Sequence, residues 1–107
     1  MKYKVIIGCR DDKRANDAIN DVKQRNPKAI ISQVRLDLAS LQSVRQFVKQ
    51  INETETQIDV LINNAAVMFT PEWQTVEGYE LGFGISHLGD LFLIIPYIKY
   101  ILSFILF

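Results

Sequence analysis

Arg10 ends a short apolar run, Tyr3-Lys4-Val5-Ile6-Ile7-Gly8-Cys9. Its planar fork of donors matches a phosphate through two charge-assisted hydrogen bonds. Two other polar groups also close apolar runs: Asp37 follows Val34-Arg35-Leu36, and Asn63-Asn64 follows Ile58-Asp59-Val60-Leu61-Ile62. The turn Asn63-Asn64-Ala65-Ala66 would bring backbone close to a bound group. Each has a plainer alternative: Arg10 as a solvated cation beside Asp11 and Asp12, Asp37 as a turn or cap residue, and Asn63 to Ala66 as a structural turn. His87 is the one histidine, and a structural role for it outweighs that of a base. Gly82-Phe83-Gly84 begins a Gly-x-Gly pattern, but His87 stands where the third glycine belongs and no strand precedes it.

The totals narrow the partners. Twelve basic residues balance 12 acidic ones over 107 residues, with no basic stripe, so no field draws in nucleic acid. Cys9 is the one cysteine, which excludes an internal disulfide, and no Cys/His cluster has metal-ligand spacing. A reducing, intracellular setting is expected, and Met1 to Arg10 holds no secretory signal.

The elements that must position these groups follow from periodicity. Val5-Ile6-Ile7 lacks polar alternation, as in a parallel strand covered on both faces. Asp11 or Asp12 can cap the helix that follows, whose apolar stripe is Ala15, Ala18, Ile19 and Val22, and Pro27 stops it near Asn26. A second strand is expected through Ile30, Ile31, Val34 and Leu36. Ser40 can cap a second helix with the stripe Leu41, Val44, Phe47, Val48 and Ile51, and Ile58–Ile62 reads as a third strand. Two βα units and a strand imply an α/β fold with a parallel sheet and right-handed crossovers. Such sheets bind nucleotides at the carboxyl ends of their strands, so Arg10, Asp37 and Asn63 to Ala66 would share one edge. Val67 to Pro71 reads as a loop, Glu77 to Gly84 as the start of a helix, and 91–107 as an apolar tail helix.

Several segments, in order, resemble the short-chain dehydrogenase/reductase family, and its retinol-dehydrogenase-like branch best. They are Gly8-Cys9-Arg10, Leu36-Asp37-Leu38-Ala39-Ser40-Leu41, Asp59 to Ala66 and Gly78-Tyr79-Glu80 through His87-Leu88-Gly89. The resemblance spans about residues 3 to 95. It implies a partial Rossmann-type, doubly wound parallel sheet, comprising the family's second to fourth strands, within a single incomplete dinucleotide-binding domain over residues 1–107. It implies NADP as cofactor, with Arg10 on the 2′-phosphate, Asp37 against the adenine, and Asn63, Asn64, Ala65 and Ala66 beside the cofactor. Ala66 stands where the family has glycine, and an added methyl would oppose a positive φ.

The family's Gly-rich phosphate turn has no counterpart before Tyr3, and the residues four beyond the tyrosines are Ile7, Phe83, Ile101 and Phe104, so its Tyr-x-x-x-Lys pair is missing. Ser86 occupies the place of the family's asparagine. The resemblance therefore implies a fragment of an oxidoreductase for an alcohol or carbonyl, such as a retinoid or another small lipophilic substrate, inactive as it stands. Two alternatives stay open. One is a non-catalytic partner that joins intact relatives, or copies of itself, through an open sheet edge. The other is a small protein attached to a membrane, such as that of the endoplasmic reticulum, by its apolar C-terminus, although Lys99 would be costly in a bilayer.

Overall fold

The computed structural model describes residues 3–96, which fall into two compact units divided between Asp37 and Leu38.

The first unit is a βαβ motif. Strand β1 (Lys4–Cys9) and strand β2 (Ile30–Arg35) pair in parallel, from Lys4 opposite Ile30 to Cys9 opposite Arg35. Helix α1 (Asp12–Arg25) makes the crossover. Asp11 is its N-cap, accepting from the Arg14 amide at 3.0 Å, and the Asn26 amide closes its last turn on the Val22 carbonyl at 2.8 Å. Ala15 and Ile19 bury the centre of the stripe, whereas Ala18 and Val22 are exposed. Val5 is 50% exposed, so β1 is not covered on both faces within this unit. One helix can shield only one face of a two-stranded sheet.

The second unit opens with helix α2 (Leu41–Thr54), capped by the Ser40 hydroxyl on the Ser43 amide at 3.3 Å. Val44, Phe47 and Ile51 are buried at successive turns, as the stripe required. A tight reversal follows later in the chain, with Gln74 opposite Glu80, the Thr75 amide bonded to the Tyr79 carbonyl at 2.8 Å and Gly78 at φ 86°. A helical run then covers 81–96. It begins as α3 (Leu81–Phe83), widens into a π-helical stretch (Gly84–Gly89) and returns to α-helix over 90–96.

The expected third strand does not form. Residues 60–68 have no regular structure, Val60 is 70% and Ile62 79% exposed, and the sheet has two strands among the described residues. A strand exists only by pairing. In the family's order the neighbours of this segment are the first and fifth strands, and neither has a counterpart in these residues. The apolar tail expected over 91–107 is helical through 96, and its remainder lies outside the described residues. Among the described residues no helix is long and apolar enough to cross a membrane.

Candidate functional site

The first unit brings two of the expected groups to one place. Beyond β2 the Leu36 amide bonds to the Cys9 carbonyl at 3.1 Å, extending the ladder by one step. Arg10 and Asp37 therefore leave adjacent strands at the same carboxyl edge. Asp37 is half-buried and is not without a partner.

Arg10 is exposed, and its guanidinium meets no hydrogen-bonding or ionic partner among the described residues. Its acidic neighbours are occupied elsewhere. The Asp11 carboxylate accepts from the Arg14 amide and faces the Arg14 guanidinium at 3.6 Å. Asp12 accepts from the Gln33 side-chain amide at 2.7 Å and lies 4.0 Å from the Arg35 guanidinium. Arg10 is thus a solvated cation with neither neighbouring carboxylate paired to it, which accords with its plainer alternative and leaves its donors open to a ligand. The Cys9 thiol donates to the Asp11 carbonyl at 3.3 Å.

Asn63, Asn64, Ala65 and Ala66 are all exposed, in the second unit. The segment that leads into them, Ile58–Ile62, is unpaired among the described residues. Ala66 is not at positive φ. The one non-glycine residue there, among the described residues, is Phe69 at φ 53°. The methyl at position 66 therefore meets no backbone objection. The Val67 amide, next in the chain, donates to the Ser86 hydroxyl at 3.3 Å.

His87 is exposed and stacks on Phe83, with ring centroids 5.2 Å apart and 27° between planes. Three residues on, burial pushes the Asp90 carboxyl above its ordinary pKa, and the His87 charge opposes this only in part. The Asp90 Oδ1 atom is buried without a hydrogen-bond partner. Among the described residues no cluster of His, Cys, Asp or Glu could hold a metal ion.

Sequence reasoning missed three features of this unit. Glu80 caps the helical run, accepting from the Gly82 amide at 2.8 Å and the Phe83 amide at 2.7 Å, and those bonds hold its carboxylate below its ordinary pKa. Glu77 accepts from the Leu41 amide at 2.8 Å, capping α2 from 36 residues away. The glycines of the π-helical stretch serve close packing: a Cβ on Gly84 would collide with the Thr75 methyl, and one on Gly89 would lie 3.0 Å from the Leu38 carbonyl. A glutamate before a helix start was a readable signal, but the π-helix and the long-range cap had none.

The family model for short chain dehydrogenases matches residues 1–80. The chain belongs to the short-chain dehydrogenase family. It is 42% identical over 89 residues to human (Homo sapiens) retinol dehydrogenase 13, covering 83% of this chain and 27% of that protein. Polyprenol dehydrogenase of Danio rerio is 39% identical, over 87% of this chain and 29% of its own length. Protochlorophyllide reductase of Daucus carota is 42% identical, over 86% of this chain and 23% of its own. The chain thus spans about a quarter of the length of the curated relatives it matches. A crystal structure of an uncharacterized protein from Mycobacterium paratuberculosis superposes with a TM-score of 0.66 at 34% identity, over 85% of this chain and 31% of that one. The parallel sheet with its crossover helix is accordingly part of a Rossmann-type α/β fold, and the retinol-dehydrogenase-like resemblance holds.

Proposed function

We propose that this chain carries the phosphate-selecting edge of an NADP-dependent oxidoreductase, whose full-length form interconverts a lipophilic alcohol and its carbonyl. One observation carries the reading: the Arg10 guanidinium, at the carboxyl end of β1, is free among the described residues while both neighbouring carboxylates are engaged. An acidic residue at a strand end here would bind the ribose hydroxyls of NAD, and a free arginine suits the extra phosphate of NADP. Asp37, leaving the next strand, would lie against the adenine. The nicotinamide, when bound, supplies or takes up the hydride. The relatives named for retinol, polyprenol and protochlorophyllide support a lipophilic substrate. These 107 residues hold no tyrosine with a lysine four positions on, the pair that does the acid–base work of the family.

The test is calorimetric titration of the chain with 2′,5′-ADP and with 5′-AMP, for the wild type and for Arg10→Gln. Tighter binding of the bisphosphate by the wild type, with that preference lost in the variant, supports the reading. Equal affinity for both ligands in the wild type overturns it. The exposure of Val60 and Ile62 favours a second role for 58–62, pairing with a strand of another chain. A monomer by light scattering across micromolar concentrations would rule that out.

A further inference from the structure

The side chain at position 86 stands where the family's asparagine belongs, yet in this chain it is spent on a backbone group. The Ser86 hydroxyl accepts from the Val67 amide at 3.3 Å, across 19 residues of sequence. Val67 directly follows the exposed turn Asn63 to Ala66, in a stretch with no strand pairing to hold it. Ser86 lies in the π-helical stretch, whose rotation per residue differs from that of an α-helix and so decides which side chains face a given neighbour. That stretch is itself pinned in its own unit. Gly84 sits under the buried Thr75, and Gly89 against the Leu38 backbone. A single hydroxyl thus joins a fixed helix to the start of an otherwise unsupported loop.

We infer that Ser86 is a positioning residue: it holds the Asn63–Ala66 turn through the Val67 amide, in place of the asparagine's part in the chemistry. The inference rests on the proposed cofactor reading for what the turn is positioned against, but not for the tie itself. Serine has one oxygen, both donor and acceptor, where asparagine offers a separate carbonyl and amide. With the oxygen accepting from Val67, the remaining proton can be donated onward, and the turn is held without an amide side chain.

The experiment is amide hydrogen exchange followed by NMR on the chain, in wild type, Ser86→Val and Ser86→Thr. Valine and threonine have nearly the same shape, so they differ in the hydroxyl alone. Ser86→Val is expected to speed exchange at Val67 about five-fold, the order set by one lost neutral hydrogen bond. The Val67 proton resonance should move upfield, and the amides of Asn63 to Ala66 should broaden or shift with it. Ser86→Thr should restore all three. The melting temperatures of the two variants, measured beside them, separate the tie from general loosening: exchange at Val67 that tracks only overall stability overturns the inference, as does a Val67 amide indifferent to Ser86→Val. Arg10→Gln should leave Val67 untouched while abolishing 2′-phosphate preference, so the two readings fail separately.

Discussion

Gly84→Ala sets two effects of opposite sign against each other, and the structure says which wins. On helix propensity alone, alanine gains about 1 kcal/mol over glycine in a helix interior. At Gly84, however, the new Cβ would lie under 3.0 Å from the Thr75 γ-methyl, closer than real Cβ atoms approach a neighbour. Thr75 is only 8% exposed, and its hydroxyl accepts from the Tyr79 amide at 3.2 Å, so it cannot simply swing aside. Overpacking of this kind costs about 1–3 kcal/mol. The expected net result is destabilisation of about 1 kcal/mol, taking the midpoint of that range against the propensity gain. Urea denaturation followed by circular dichroism would read it as a lower midpoint at unchanged slope. The cause is isolated by Thr75→Ser, which removes the methyl and keeps the hydroxyl. In that background Gly84→Ala should become stabilising by roughly the propensity value. A stabilising Gly84→Ala in the wild-type background would refute the packing argument outright.

Removing the Glu77 carboxylate by Glu77→Ala should cost about 1 kcal/mol, because the Leu41 amide loses its cap; an unchanged urea midpoint would refute that role. Glu80 is depressed in the folded state, so its contribution is complete above the unfolded pKa and is lost as pH falls through the folded one. Acid titration of stability should therefore show a steeper decline in wild type than in Glu80→Gln. Asp90 has the opposite sign. Its folded pKa is raised by burial, so stability should fall as pH rises from the unfolded to the folded value, and Asp90→Asn should remove that slope and leave the protein more stable above it. Purified chain mixed with NADPH and retinal should show no turnover above background at 340 nm, because it holds no Tyr-x-x-x-Lys pair; sustained oxidation of NADPH would contradict this.

The local features were legible because their causes are local. Asp11 and Ser40 cap α1 and α2 as their positions before the apolar stripes required, and Asn26, ahead of Pro27, ends α1. The parallel pairing of β1 with β2 followed from a βαβ pattern, in which the crossover leaves little other choice. From that pairing alone Arg10 and Asp37 were expected at one edge, and they are there.

What the sequence could not show depends on groups far apart in the chain. Ile58–Ile62 has the composition of a strand, but strand formation is a property of a pair, and among the described residues there is no partner for it. The freedom of Arg10 was also undecided in sequence, where Asp11 and Asp12 stand beside it. Only the fold commits those carboxylates to Arg14, Gln33 and Arg35. The π-helical turns and the reach of Ser86 to Val67 arise in the same way, from packing of the helical run on Thr75 and Leu38. Residue types and their spacing determined α1, α2 and the β1–β2 pair, and which groups could bind. Tertiary contacts decided which of those groups were left free to do so, because a hydrogen bond or ion pair made inside the fold is no longer available to a ligand.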